Sequence, residues 1–298
     1  VEFEFPLVQI TDRISALELF HGPTLAFKDV GARFMSRCLQ HFSIERQGKT
    51  IVIVATSGDT GGAVANGFHG VEGVEVIILY PKDRVSKVQE LQLTTLGGNV
   101  TTLELRGSFD ECQAIAKRAL ADEDLQKSAF ITSANSINVA RWLPQQFYYF
   151  YALKQWRGGP PVIAVPSGNF GNLASGVLAG ISGLPVEHFI AACNANDVVP
   201  EFFATGDYRP KPSVSTLSNA MDVGDPSNFV RILEVFGQNT AHLKDRMTAV
   251  SISDERTAET MRDIHRNYSY GLDPHGAVAY SALADSLERE PGARGIIL

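Results

Sequence analysis

The sequence predicts an α/β protein of two open lobes, each a mostly parallel sheet with helices on both faces. Three observations carry this. Short apolar runs alternate along the chain with amphipathic helical patterns, the signature of βα repeats. Two of the runs, Ile51–Ala55 (IVIVA) and Pro161–Pro166 (PVIAVP), are apolar almost throughout, as in strands covered on both faces. The chain has 298 residues, 44% of them hydrophobic, enough for two cores.

Strands are predicted at Ile51–Ala55, Val74–Tyr80, Val100–Leu105, Ala129–Thr132, Pro161–Pro166 and His188–Cys193. Between them lie helical patterns. In Phe27–Phe42 the residues Phe27, Val30, Phe34 and Cys38 recur at three- and four-residue spacing, with Arg33, Ser36, Arg37 and Gln40 on the other face. Gly61–Phe68, Val85–Leu96, Phe109–Leu120, Asn138–Gln155 and Asn172–Ile181 follow the same logic. Residues 208–227 are rich in Pro and Ser and predict a long loop, a place where function often resides.

Charged residues make up 20% of the chain and the net charge is −7, with no basic run, which argues against a nucleic-acid or membrane-surface partner. No apolar run reaches the length of about 18 residues that a membrane span needs, and no signal peptide is visible. Cys38, Cys112 and Cys193 lack metal or redox spacing and read as reduced thiols of a cytosolic protein. The chain opens on Val1 and ends on the strand-like run Gly295–Leu298, so the expectation is a fragment of a longer protein.

Four segments could carry chemistry. ATSGDTGG (55–62) joins a strand to a helix, where backbone N–H groups and the positive helix end favour a carboxylate or phosphate. It lacks the Walker and dinucleotide patterns, and a tight turn that merely needs glycines explains it equally well. VPSGNFGN (165–172) repeats the geometry, with Gly168 and Gly171 permitting close backbone approach. Both turns fall at strand carboxyl ends, where open α/β sheets bind ligands. In SANSINVAR (133–141), Asn135, Ser136 and Asn138 suit ordinary capping of a helix, and Arg141 could add a fork for an anion. Lys28, in FHGPTLAFKD, follows Leu25, Ala26 and Phe27 at a helix start, where the helix dipole and the apolar neighbours disfavour an ammonium. Such an amine can attack an aldehyde or act as a base, but a lone lysine is more often a surface residue. The histidines show no metal spacing; His21 lies beside the lysine segment, and His275 in DPHGAVAY reads as a helix-start residue.

Taken together, FHGPTLAFKD, ATSGDTGG, LYP, LGGNV, SANSINVAR, VPSGNFGN, TLSNAMDVG and DPHGAVAY occur in the order found in threonine synthases of the bacterial and fungal branch. The sequence resembles that family over nearly all of residues 5–298. The resemblance implies the fold type II arrangement of pyridoxal-phosphate enzymes, like that of tryptophan synthase β. The expected division is residues 1–50 and 140–298 for a large cofactor-binding lobe and 51–139 for a smaller one. The family's Schiff-base lysine falls on Lys28. Its carboxylate-binding turn falls on Thr56, Ser57, Gly58 and Thr60, with Asp59 toward the cofactor where many relatives have Asn. Its cup for the cofactor phosphate falls on Gly168, Asn169, Phe170, Gly171 and Asn172, and its substrate-phosphate site on Asn135, Ser136 and Arg141. The family also carries a C-terminal extension with a hydroxyl expected to face the pyridine nitrogen, and no residue of this sequence matches it.

The implied reaction converts O-phospho-L-homoserine and water to L-threonine and phosphate by γ-elimination and β-addition. A phospho-lyase of the same fold acting on O-phosphothreonine is the nearest rival. A non-catalytic small-molecule binding relative is the rival from another class, disfavoured by the retention of Lys28 with both anion turns. No metal, nucleic acid or membrane is implied, and the expected location is cytoplasmic.

Overall fold

The computed structural model of the chain describes residues 2–43, 49–56, 58–83 and 85–298, with the side chains of 43 and 110 excepted. In chain order its first half comprises β1 (Leu7–Gln9), β2 (Ile14–Leu17), α1 (Lys28–Ser43), β3 (Thr50–Ala55), α2 (Asp59–Phe68), β4 (Val74–Pro81), α3 (Lys87–Thr94), β5 (Val100–Leu105), α4 (Phe109–Ala121), α5 (Glu123–Ser128), β6 (Phe130–Ser133) and α6 (Val139–Trp142). The second half comprises α7 (Gln146–Gln155), β7 (Val162–Pro166), α8 (Gly171–Ile181), β8 (His188–Cys193), α9 (Val198–Thr205), α10 (Phe229–Val235), α11 (Thr240–Arg246), β9 (Met247–Ser251), α12 (Asp254–Tyr268), α13 (Pro274–Arg289) and β10 (Gly295–Ile297). Among the described residues no helix is long and apolar enough to cross a membrane.

The chain divides into two compact units. The first holds residues 2–4 and Leu19–Pro144; the second holds Phe5–Glu18 and Gln145–Leu298. In the first, the described strands form one parallel sheet in the order β5-β4-β3-β6. Val52 and Val54 of β3 are fully buried on one face, with Ala32 and Met35 of α1 and Ala63, Val64 and Phe68 of α2. Ile53 and Ala55 face the other way, into a cluster with Cys112 and Ala116 of α4. Each fully buried aliphatic side chain of this kind stabilises the fold by roughly 1.5–3 kcal/mol.

Residues 19–43, 49–50 and 140–144 therefore sit with the smaller sheet, whereas the sequence placed them in the larger lobe. The physical reason is the buried stripe of α1. Asp29, Val30, Gly31, Ala32, Met35 and Ser36 are the buried positions, and Phe34 and Phe42 are exposed. That stripe joins the core over β3 and α2. At Gly31 an added Cβ would lie 1.9 Å from the carbonyl oxygen of Arg141, so α6 lies hard against α1.

In the second unit the sheet order is β1-β2-β10-β7-β8-β9, with β1 antiparallel to β2 and the remaining pairs parallel. Val162, Ala164 and Ile190 pack with Val278, Leu283 and Leu287 of α13 on one face. On the other, the Tyr149 ring of α7 meets Phe189 of β8 edge-on at 6.4 Å. The predicted helix Asn138–Gln155 is broken: α6 ends at Trp142, a 3-10 turn spans Leu143–Gln145, and α7 begins at Gln146. Pro144 is the cause, because it has no N–H for an intrahelical bond and its ring crowds the preceding turn. The predicted loop 208–227 holds only a 3-10 turn at Asn219–Met221.

Candidate functional site

In the first unit the lead-in to α1 is folded back on its first turn. The Thr24 backbone N–H and hydroxyl both donate to the Asp29 carboxylate, at 3.0 and 2.7 Å. Asp29 is 1% exposed, and a Cβ at Gly22 would meet its Oδ2 at 2.5 Å. Leu25 takes a left-handed backbone conformation, φ 58°, to make this bend. The bend places Lys28 as the first residue of α1. Its side chain is 20% exposed, its Nζ lies 3.4 Å from Asp59 Oδ2, and it sits 5.3 Å from the Phe27 ring centre.

Asp59 opens α2 immediately after the β3 turn. Thr56 is 1% exposed, and its Oγ1 accepts from the N–H groups of Gly58 and Gly61, both at 2.9 Å. That hydroxyl is spent on shaping the turn. Gly58 has φ 149°, which favours glycine, and a Cβ there would lie 2.4 Å from Gln89 Nε2 and displace that amide. Gln89 Nε2 donates to Asp59 Oδ1 at 2.7 Å, so the two carboxylate oxygens face an amide and an ammonium. Thr60 is half-buried in the first turn of α2. Ser57 lies outside the described residues.

The SANSINVAR segment reaches this turn from β6. The Asn135 amide brackets the end of β3, Nδ2 donating to Ala55 O at 2.6 Å and Oδ1 accepting from Ala55 N at 3.1 Å. Asn138 caps α6 by accepting from Ala140 N. Ser136 is half-buried. Arg141 is 3% exposed; its Nη1 donates to Ala134 O, and its Nε has no hydrogen-bond partner. Burial lowers its pKa to about 10, and the Asp29 charge opposes that shift.

In the second unit the turn after β7 has the same logic. Phe170 is the N-cap of α8 in a left-handed conformation, φ 62°, with its ring buried edge-on to Phe229 at 5.5 Å. A Cβ at Gly168 would lie 2.5 Å from the Met221 Cα, so the 3-10 turn Asn219–Met221 forms a wall against it. Asn169 Oδ1 accepts from Ser227 N at 2.7 Å and from Ser227 Oγ at 2.8 Å. The Asn169 carbonyl accepts from Asn228 Nδ2 at 3.0 Å. Gly171 begins α8. The Asn172 Oδ1 accepts from the hydroxyls of Tyr148 and Tyr149, at 2.5 and 2.8 Å. Burial pushes both phenols well above their ordinary pKa, so they stay neutral donors. The Asn172 side chain thus braces the turn from beneath.

The two turns share a feature that spacing alone did not reveal. Helices α3, α4, α5, α6, α11, α12 and α13 each begin on a Ser, Asp or Asn whose side chain accepts from the first turn. Helices α2 and α8, like α7, α9 and α10, take no cap from the side chain of their N-cap residue, and what sets α2 and α8 apart is an N-cap of positive φ; in α2 the Thr56 hydroxyl accepts from Gly61 N instead. Their first N–H groups lack intrahelical partners, and such ends favour anions.

Asp29 and Met221 lie in FHGPTLAFKD and TLSNAMDVG without an assigned role, and Gln89 lies in neither. Gln89 was detectable as the last residue of the Ser86-x-x-Gln89 capping box, which the structure forms. Its bond to Asp59 spans thirty residues and leaves no local trace.

A family model described as "Pyridoxal-phosphate dependent enzyme" matches residues 11–297. Threonine synthase of Serratia marcescens is 48% identical, covering 100% of this chain and 68% of that protein. The crystal structure of threonine synthase from Escherichia coli superposes with a TM-score of 0.92 at 45% identity, covering 99% of this chain and 68% of that one. The structure of PLP-bound threonine synthase from Brucella melitensis gives 0.89 at 33% identity, covering 98% and 68%. The chain belongs to the pyridoxal-phosphate-dependent enzymes and, within them, to the threonine synthase family.

Proposed function

We propose that the chain converts O-phospho-L-homoserine and water to L-threonine and phosphate. The observation that carries this is the placement of Lys28 Nζ 3.4 Å from Asp59, in the first turn of a helix whose N-cap is Gly58. An amine held at an anion-binding turn is what an enzyme acting on the α-carbon of an amino acid requires, because the turn takes the carboxylate and fixes the Cα–H bond toward the amine.

The residues present fit pyridoxal phosphate. Lys28 supplies a primary amine for the aldehyde. The turn 168–172 supplies an uncapped helix start for the phosphate, with a glycine at the position that has no room for a side chain. Asp59, held by Gln89, lies beside the amine. When bound, the cofactor supplies the electron sink that stabilises a carbanion at the substrate α-carbon.

The rest is done by the chain. Lys28 Nζ would take the α-proton, give it up to the electron-sink group, and, as a free amine again, take one β-proton of the substrate. The bond between Cγ and the phosphate oxygen breaks and phosphate leaves. The oxygen of water bonds to Cβ, and protons return to Cγ and Cα, leaving threonine. Backbone groups of residues 56–60 hold the substrate carboxylate, with the Thr56 hydroxyl shaping that turn. Asn135, Ser136 and Arg141 serve the leaving phosphate. The unpartnered Arg141 Nε supports this assignment, and Asn135 contributes by fixing the end of β3.

The test adds pyridoxal phosphate to the chain and then O-phospho-L-homoserine. A visible cofactor band followed by equimolar threonine and phosphate is the expected result. Phosphate and a keto acid from O-phosphothreonine, with no threonine from O-phosphohomoserine, would overturn it in favour of a phospho-lyase.

A further inference from the structure

The DPHGAVAY motif has a task beyond starting a helix. Asp273 is the N-cap of α13, its Oδ1 accepting from Gly276 N at 2.8 Å. Its Oδ2 faces His275 Nδ1 at 2.6 Å. The other ring nitrogen, Nε2, lies 3.2 Å from the backbone nitrogen of Ala220. A backbone N–H can only donate, so Nε2 must accept and carries no proton. The single ring proton then sits on Nδ1 and is donated to the Asp273 carboxylate. One tautomer of the neutral ring satisfies both contacts.

Ala220 is the middle residue of the 3-10 turn Asn219–Met221, whose Met221 backbone forms the wall against Gly168. The far end of this segment is pinned separately. Asp222 Oδ1 accepts from Asn194 Nδ2 at 2.9 Å and from Thr216 Oγ1 at 2.7 Å, and Oδ2 accepts from Thr216 N at 3.1 Å. Asn194 is 1% exposed and Met221 is 4% exposed. The wall residue is thus held between an Asp222 anchor on one side and a His275 anchor on the other.

We propose that His275 is a positioning residue for the turn that takes the cofactor phosphate. Its unprotonated Nε2 fixes Ala220, and through Ala220 it sets the distance of Met221 from Gly168. This rests on the reading of residues 168–172 as the phosphate cup. The TLSNAMDVG segment, which no proposed catalytic step uses, then has a physical purpose: it is the rigid side of that cup.

The test is equilibrium binding of pyridoxal phosphate to the 298-residue chain, followed by its visible band, with the thermal midpoint measured alongside. His275→Leu removes the acceptor. His275→Gln keeps one at the place of Nε2. Loss of one hydrogen bond that orders a wall predicts affinity weakened about tenfold in His275→Leu and within about threefold of the parent in His275→Gln. Equal affinity of His275→Leu and the parent overturns the proposal, and so does equal weakening of the two variants. If His275→Leu does not fold, Asp273→Asn decides. Its amide must keep an oxygen toward Gly276 to cap α13 and so turns an N–H₂ toward the ring, which reverses the tautomer and removes the acceptor. Weakening by severalfold in the His275 background that disappears in the His275→Gln background supports the proposal; the same loss in both backgrounds overturns it. Failure of the unaltered chain to bind pyridoxal phosphate would instead overturn the cup itself, and this proposal with it.

Discussion

Lys28 Nζ and Asp59 Oδ2 lie 3.4 Å apart, and each residue is the first of its helix, α1 and α2. Two helix starts that are far apart in sequence are thereby brought to one point. The dipole of each helix favours an anion there, which suits Asp59 and penalises the ammonium of Lys28. The carboxylate offsets that penalty and keeps the amine in place.

Lys28→Ala is therefore expected to abolish the visible cofactor band and threonine formation. Stability should change little, because a partly exposed ion pair contributes only about 0–1 kcal/mol. Absorbance titration and a thermal melt check both halves. Turnover near the parent level would remove Lys28 from the chemistry.

At Gly168 the sequence suggested a glycine that permits close backbone approach to a ligand. The nearer obstacle is the Met221 backbone, 2.5 Å from an added Cβ. Gly168→Ala should accordingly weaken pyridoxal phosphate binding by at least about tenfold and also lower the thermal midpoint, because backbone on both sides must shift. A variant that loses affinity with an unchanged melting point would mean that the ligand alone is crowded.

The sequence disclosed those parts of the fold whose signal is local. IVIVA and PVIAVP became β3 and β7, central in their sheets, because a strand covered on both faces must be apolar throughout. The strands Leu7–Gln9, Ile14–Leu17 and Met247–Ser251 were missed, since three or four residues, or a mixed run such as MTAVS, carry no distinct period. The break at Pro144 was readable and overlooked. Of the candidate site, the positions of the turns were legible but the use of each side chain was not. Thr56, Asn135 and Asn172 read as ligand groups. In the fold the Thr56 hydroxyl shapes its own turn, Asn135 reaches Ala55 eighty residues away, and Asn172 accepts from Tyr148 and Tyr149. The two long-range pairings depend on topology, which residue spacing does not encode.

Asn135→Asp tests the bracket on β3. The carboxylate can still accept from Ala55 N but cannot donate to Ala55 O, and it faces that carbonyl with a negative charge. The cost should be about 1–3 kcal/mol of stability, read from the denaturant midpoint. Asn135→Asp with parent stability would show that the amide's donor end contributes nothing to holding the strand.

The last prediction concerns Arg141, because a buried guanidinium can serve an anion or only its own fold. It is 3% exposed, one nitrogen is committed to Ala134 O, the Asp29 charge is near enough to raise its pKa, and Nε is unpartnered. A charge held this far from water, with a donor to spare, is costly unless a ligand or a structural need repays it. If it serves the substrate phosphate, Arg141→Ala should reduce reaction of O-phosphohomoserine by about tenfold to a hundredfold, the worth of one charge-assisted contact. Pyridoxal phosphate affinity should stay near the parent value, since the cofactor phosphate is assigned to residues 168–172. Arg141→Lys should not restore the reaction, because an ammonium cannot copy the planar fork. If Arg141 is structural, the outcome differs in kind. Removing a buried positive charge near Asp29 leaves that carboxylate with Thr24 alone, so the thermal midpoint falls sharply, and cofactor affinity and turnover fall with it. Measuring the melt, the cofactor titration and the steady-state rate on the same preparation separates the two, and a parallel loss in all three would return Arg141 to the role of packing α6 against α1.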